Sequence, residues 1–194
     1  MLLTFDTSLD KTYIGLADGY NLLGTKVLEN KGSTYHSTYL MSSITELLKE
    51  NNLTPQDITE IATNVGPGSF TGIRACTTVA RVMAQQLGCK VLGVSSLEIL
   101  SRVKRTGKKP LVLLDARKNM AYVWDEEVLG AIAIDDVKEM VKADEYSVIC
   151  DDNMYKIFSE VTDDIVSYTT LNANLAEILI SIVNERKNEL TTDW

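Results

Sequence analysis

The sequence contains few of the residues that build metal or disulfide sites. It has a single histidine, His36, and three cysteines, Cys76, Cys89 and Cys150, no two of which form a Cys-x-x-Cys pair. Structural zinc sites usually take their ligands as closely spaced pairs such as Cys-x-x-Cys, which this chain lacks, and a disulfide framework takes an even number of cysteines. We therefore expect no metal site and no structural disulfides. Free cysteines in such a chain indicate a reducing, cytoplasmic compartment.

Long apolar runs and a net positive charge are also missing. No apolar stretch approaches the roughly 20 residues that a membrane helix needs, and an acidic residue already stands at position 6. The 194 residues carry 19 Lys and Arg against 27 Asp and Glu, which gives a net charge of -8. A field of this sign repels polyanions. We expect no signal peptide, no membrane anchor and no strong direct binding to nucleic acid.

The apolar residues that are present, 45% of the chain, follow strand and helix periods in alternation. In the first half they predict strands at residues 2–5, 12–17, 21–28, 58–65 and 90–94, and helices at residues 37–50, from 69 or 71 to 87, and 96–104. The order is three strands, then helix, strand, helix, strand, helix. This order is typical of the actin-like, ribonuclease-H-like α/β fold.

The second half predicts a smaller α/β domain. The expected elements are strands at 111–115, 121–124, 131–134 and 147–150, a short helix from 135, and a C-terminal helix at 175–183. A basic run at residues 102–109 precedes Pro110 and marks a domain boundary. We therefore predict an N-terminal ribonuclease-H-like domain at 1–104 and a reduced second domain at 105–194, with the last helix free to pack back on the first domain.

A glycine-rich string stands between a predicted strand and a predicted helix. It is Gly66-Pro67-Gly68-Ser69-Phe70-Thr71-Gly72-Ile73-Arg74. Glycines let the backbone approach a neighbour closely, and a helix N-terminus attracts anions, so a phosphate site is one interpretation. The spacing matches neither the dinucleotide nor the Walker pattern. It favours the other interpretation, a tight turn capped by Ser69 or Thr71.

This string resembles the signature of the TsaB (YeaZ) family, which is involved in making threonylcarbamoyladenosine in tRNA. Further segments match the family in order over roughly residues 1 to 124. They are Phe5-Asp6-Thr7-Ser8, His36-Ser37, Gly93-Val94-Ser95-Ser96-Leu97, Leu114-Asp115-Ala116-Arg117 and Tyr122. The resemblance implies an actin-like duplicated fold and a cytoplasmic, non-catalytic subunit. It also implies pairing with a metal-carrying TsaD transferase, and work alongside the ATPase TsaE and the adenylate-forming TsaC.

The resemblance further implies a docking surface on the helices at 37–50 and 72–87. Without the partner, the same face is expected to form a homodimer. By helix geometry the expected contact residues are Tyr39, Ser43, Glu46, Ala75, Val79 and Val82, with Phe70 added from the preceding loop. The apolar residues of the second helix are also compatible with simple burial on two sides, and burial is the alternative for Phe70. We expect no cofactor on the chain itself, and ATP or ADP only at the partner interface.

The residues Asp6, Thr7 and Ser8 stand where actin-like kinases hold a metal-linked acid and a phosphate turn. A working cleft also needs glycine loops in the second half, and residues 110–194 contain only Gly130. We therefore predict a degenerate nucleotide cleft in which Asp6 caps a strand end. The alternative function is a stand-alone actin-like ATP-dependent kinase or ATPase.

Other candidate sites are weaker. A peptidase would need a base for Cys76 or Ser69, yet His36 is the only histidine and position 40, one helical turn on, is leucine. We interpret His36 as a helix-start or interface residue. Arg117, after Asp115, suits a solvated turn or a partner contact. The basic run at 102–109 suits a solvated linker or an RNA contact.

Overall fold

The computed structural model describes residues 1–29, 37–103, 107–142 and 145–194. His36 and residues 104–106 of the basic run lie outside these ranges. The elements of the first half are β1 (Leu2–Asp6), β2 (Lys11–Asp18), β3 (Asn21–Glu29), α1 (Ser37–Glu50), β4 (Glu60–Asn64), α2 (Phe70–Leu87), β5 (Lys90–Val94) and α3 (Ser96–Ser101). Those of the second half are β6 (Lys109–Arg117), β7 (Met120–Asp125), β8 (Glu127–Ala133), α4 (Ile134–Val141), β9 (Tyr146–Cys150), α5 (Asp152–Phe158), β10 (Ile165–Ser167) and α6 (Leu175–Glu185).

These elements divide into two compact units. One comprises Met1–Ser96 with Asn174–Trp194, and the other comprises Leu97–Ala173. The division differs from the one predicted at 104/105, because that prediction used a change in composition whereas the units reflect which backbone segments lie together. Helix α6 belongs to the first unit, where it packs against β1 and β2.

The sheet of the first unit has the strand order β3-β2-β1-β4-β5. Strand β1 pairs antiparallel with β2 and parallel with β4, and all five of its residues are buried. A central strand covered on both faces needs a continuous apolar run, which residues 2–5 provide. The side chains of this sheet, with Leu40 and Ile44 of α1 and Cys76 and Ala80 of α2, form one core.

The ends of α2 follow from local sequence chemistry. Ser69 is the N-cap, and its side chain accepts a hydrogen bond from the Gly72 N–H. At the other end Gly88 adopts a left-handed conformation with φ 68°, which glycine takes without steric penalty. The predicted helix to Leu87 is confirmed at this end, and of the two predicted caps the structure uses Ser69.

The second unit repeats the strand arrangement of the first. Its sheet has the order β10-β9-β6-β7-β8. Strands β6, β7 and β8 form an antiparallel meander, β9 pairs parallel with β6, and β10 pairs parallel with β9. Written in the opposite direction, the order is β8-β7-β6-β9-β10, which matches β3-β2-β1-β4-β5 of the first sheet strand by strand. The duplication confirms the predicted actin-like fold. Sequence analysis did not predict α5 or β10, which have seven and three residues and are too short for a clear period.

Candidate functional site

The glycine-rich string forms a turn that lies directly on the turn after β1. The Ser69 N–H donates to the Ser8 carbonyl oxygen at 2.8 Å. The Thr7 hydroxyl donates to the Gly72 carbonyl oxygen at 2.8 Å. The site where an actin-like kinase would hold phosphate is thus the place where two backbone segments of this chain meet.

The glycines at positions 68 and 72 are required by this approach. A Cβ atom on Gly72 would lie 2.0 Å from the Thr7 carbonyl oxygen, and one on Gly68 would lie 2.5 Å from the Ser8 carbonyl oxygen. Real Cβ atoms do not come so close to backbone, so no other residue fits at either position. Their purpose here is contact between backbones, which agrees with the turn interpretation.

Several backbone N–H groups around this junction already have acceptors within the chain. The bonds run from Thr7 N to Cys76 Sγ at 3.0 Å, from Ser8 N to Asp6 Oδ1 at 2.7 Å, from Gly66 N to Asn64 Oδ1 at 2.7 Å, and from Gly72 N to Ser69 Oγ at 3.3 Å. A bound phosphate needs such donors free and pointing at it. These four donors are therefore not available to a nucleotide phosphate.

Asp6 joins the ends of two strands below the turn. Its Oδ1 accepts bonds from the backbone N–H and the hydroxyl of Ser8, both at 2.7 Å, and its Oδ2 accepts from Asn64 Nδ2 at 2.9 Å. Burial raises the pKa of Asp6, and the bonds from Ser8 and Asn64 oppose that rise. The Asn64 Oδ1 atom also accepts from the Ser96 hydroxyl at 2.8 Å, which extends the network to the end of β5.

Sequence analysis did not single out Asn64 or Ser96 as parts of this site. The only signal for these two residues in the sequence was their position, since both stand at the carboxyl ends of strands that are neighbours in the sheet. Strand β4 ends at Asn64 and β5 ends two residues before Ser96.

Exchanging Asp6 and Asn64 tests this network. Asp6→Asn alone introduces an amide nitrogen that faces a donor in either orientation, Asn64 Nδ2 or the Ser8 N–H. We expect it to lower the free energy of unfolding by about 2 kcal/mol, the scale of a buried group left without its partner. The double variant Asp6→Asn with Asn64→Asp restores a donor opposite an acceptor, and we expect it to recover most of that loss. Urea unfolding followed by circular dichroism measures both. A double variant no more stable than the single one would contradict the assignment.

Cys76 lies in the same junction as a buried thiol. Its Sγ is 3.0 Å from both the N–H and the hydroxyl oxygen of Thr7. Burial, and secondly the nearby charge of Asp6, raises the pKa of Cys76 to about 11. Because the thiolate is the nucleophile, a thiol that stays protonated at neutral pH is inert. The peptidase interpretation gains no support from this geometry.

The helices α1 and α2 expose large apolar side chains. Tyr39 is 55% exposed, Val82 is 52% exposed and Phe70 is 73% exposed, and Met41 is also exposed. The guanidinium of Arg74 lies 5.5 Å from the centre of the Phe70 ring, which orients the ring without burying it. The burial considered for Phe70 as an alternative is therefore not observed within this chain.

The remaining predicted contact residues differ in exposure. Glu46 is exposed and forms an ion pair with Lys26 at 2.9 Å. Ala75 and Val79 are half-buried, and Val79 packs against the core of the first unit. Ser43 is only 7% exposed, so its prediction as an outward residue is wrong. Ser43 follows Leu40 by three residues and precedes Leu47 by four, and this spacing places it on the buried side of α1.

In the second unit, Arg117 is exposed at the tip of the β6–β7 hairpin. Its backbone N–H donates to Asp115 Oδ1 at 2.7 Å, so the main chain of Arg117 contacts the Asp115 carboxylate.

Within the described ranges, no helix is both long and apolar enough to cross a membrane. A duplicated fold in which the turn after β1 packs directly against the glycine-rich turn before α2 defines a class of actin-like protein. A family model described as "TsaD: tRNA N6-adenosine threonylcarbamoyltransferase" matches residues 26–146, more than half of the chain. The chain belongs to that family, and within it to the TsaB (YeaZ) proteins.

Individual relatives support this assignment. The "tRNA threonylcarbamoyladenosine biosynthesis protein TsaB" of Bacillus subtilis is 35% identical over 88 residues, which is 45% of this chain and 38% of the relative. The protein of the same name from Buchnera aphidicola subsp. Acyrthosiphon pisum is 23% identical over 97% of this chain and 81% of its own length. In two further Buchnera TsaB matches, the aligned segments span 60% and 55% of the relative.

Solved structures agree on the fold. The structure of YeaZ from Pseudomonas aeruginosa is similar with a TM-score of 0.70 and 21% identity, over 98% of this chain and 94% of that one. A second structure, of an uncharacterized protein with similarity to peptidase YEAZ from the same organism, gives a TM-score of 0.74 over the same shares.

Proposed function

We propose that this chain is a non-catalytic accessory subunit in the formation of threonylcarbamoyladenosine in tRNA, and that it acts by pairing with a TsaD-like transferase. Its membership of the TsaB family and the names of its relatives support the pathway. The observation that carries the pairing is the exposed apolar surface of α1 and α2.

This surface, which we call the α1/α2 surface, comprises Tyr39, Phe70 and Val82. All three side chains are exposed, and the two helices that carry them contact each other. Exposed aromatic and aliphatic side chains gathered on neighbouring elements are typical of protein interfaces, because water is unfavourable next to them.

The accessory role is supported by what the junction of β1 and the glycine-rich turn can do chemically. Several of its N–H groups are engaged within the chain, and its thiol is held protonated by burial. In this proposal the chain holds no nucleotide alone, and ATP or ADP binds where the two subunits meet. Without the transferase the α1/α2 surface pairs two copies of the chain, and a TsaE-like ATPase joins the assembled complex.

Light scattering on a sizing column tests the proposal. The chain is run alone, with the TsaD-like protein of the same organism, and with that protein plus ATP. We expect a dimer alone that exchanges for a one-to-one complex. A chain that stays apart from the transferase under all three conditions would overturn the proposal. In a modification assay with tRNA, leaving out this chain should abolish the product, whereas the chain alone should form none.

A further inference from the structure

Helix α6 and the turn between β2 and β3 border a cavity in the first unit. Its volume is about 320 Å³, within the range of small-molecule sites. The apolar part of its wall comes from Leu22 on β3 and Ile180 on α6. Leu22 pairs with Ala17, which lies on the same side of β2 as Gly15. A Cβ on Gly15 would lie 2.9 Å from Ile180 Cδ1, so that side faces α6, and the cavity has an apolar wall on both the sheet and the helix.

Asn184 on α6 brings a buried polar group to this cavity. It lines the cavity and is only 9% exposed, and its Nδ2 donates to the Gly19 carbonyl oxygen at 3.1 Å. This bond fixes the orientation of the amide, so Oδ1 is the atom that still needs a partner. Among the residues that the structure describes, Oδ1 has no hydrogen-bond partner. A buried acceptor without a donor is unfavourable, so the cavity favours a ligand that donates a hydrogen bond.

The charges around the cavity select the sign of that ligand. Glu177 and Glu185 line the cavity, and none of the described residues that line it is Lys or Arg. Tyr20 also lines it, and the Lys187 ammonium lies 5.3 Å from the centre of the Tyr20 ring. Carboxylates and aromatic faces both attract cations. The two carboxylates outweigh the single charge of Lys187, so a positively charged donor is favoured over a neutral or negative one.

We propose that this cavity binds a small aliphatic amine in its ammonium form. The ammonium donates to Asn184 Oδ1 in the field of the Glu177 and Glu185 carboxylates. The hydrocarbon chain packs against Leu22 and Ile180, which removes apolar surface from water. A single unpaired oxygen suits a compact ammonium better than the planar fork of a guanidinium. The site uses no residue of the α1/α2 surface, so it is independent of the proposed function.

Three probes with the same alkyl chain and different head groups test the proposal. The full chain is titrated with hexylamine, hexanol and hexanoate, and the NMR signals of the Asn184 side-chain amide are followed. We expect saturable binding of hexylamine, binding of hexanol at least about tenfold weaker, the scale that separates charged from neutral hydrogen bonds, and no binding of hexanoate. Hexanol or hexanoate binding as tightly as hexylamine, or no saturable binding of hexylamine, would overturn the proposal.

A double variant tests the two carboxylates without disturbing the fold. Glu177→Gln with Glu185→Gln removes both charges, and both side chains are exposed. We expect hexylamine to bind about fivefold more weakly, the scale of two exposed charge contacts. Glu127→Gln with Glu160→Gln is the matched control, because it removes the same charge from exposed positions of the second unit. Equal loss of affinity in both double variants would show that net charge alone attracts the amine, and the site would be refuted.

Asn184→Leu removes the acceptor and keeps a side chain of similar size. We expect hexylamine to lose its advantage over hexanol in this variant. An advantage that persists in the folded variant contradicts the role of Asn184 Oδ1, and if the variant does not fold, the glutamate variants decide. Nα-acetyl-lysine amide, titrated into the unaltered chain, shows whether the ammonium belongs to a protein. Tighter binding of this probe than of hexylamine would overturn the assignment to a small amine.

Discussion

Replacing Gly72 with alanine is expected to lower the free energy of unfolding by at least about 3 kcal/mol, the upper range for inserting atoms into a packed site. The added Cβ would lie 2.0 Å from the Thr7 carbonyl oxygen and 2.8 Å from its carbonyl carbon. Both are backbone atoms, so they cannot move aside as the end of a flexible side chain can. Relief requires separating α2 from the turn after β1, which breaks the bond from the Thr7 hydroxyl to the Gly72 carbonyl.

Helix propensity alone predicts the opposite sign. Gly72 lies inside α2, where alanine is favoured over glycine by about 1 kcal/mol. A chain stabilised by Gly72→Ala would therefore show that the turn does not pack as described. Gly107→Ala serves as the control, because a Cβ there meets nothing within 4 Å, and we expect a change within about 0.5 kcal/mol. Urea unfolding of both variants gives the comparison.

The fold could be predicted where a local pattern had one physical meaning. The stripe of Leu40, Ile44, Leu47 and Leu48 indicates α1, and Gly88 indicates the end of α2. The run at residues 2–5 indicates a strand buried on both faces. In each case the responsible interaction lies within a few residues of the chain, so spacing is sufficient to find it.

Interactions between distant segments could not be predicted in this way. The Asp6–Asn64 pair joins residues 58 positions apart, and it becomes visible only when β1 and β4 are known to be adjacent. The close contact of Gly72 with Thr7 has the same origin. By helix geometry Ser43 shares a side of α1 with Tyr39 and Glu46, but its spacing from Leu40 also places it next to the buried side, and it is buried. The spacing within one helix does not show how wide its covered side is, because that depends on the elements that pack against it.

The α1/α2 surface leads to the second large effect. Val82→Glu is expected to weaken association with the TsaD-like transferase by at least about 100-fold, the scale of a central interface residue. Val82 is 52% exposed, so in the free chain the new carboxylate remains in water and folding is unaffected. On association the same carboxylate would lose its water without gaining a partner, and that penalty opposes binding.

The choice of Val82 over Val79 matters because the two valines differ in what else they contact. Val79 packs against the core of the first unit, so Val79→Glu would disturb folding and binding together. Val128 supplies a matched control, since it is a valine with 50% exposure on β8 of the second unit. Val128→Glu adds the same charge outside the α1/α2 surface, and we expect it to bind the transferase as the unaltered chain does. Equal loss of affinity in both variants would show that net charge, and not the α1/α2 surface, controls the association.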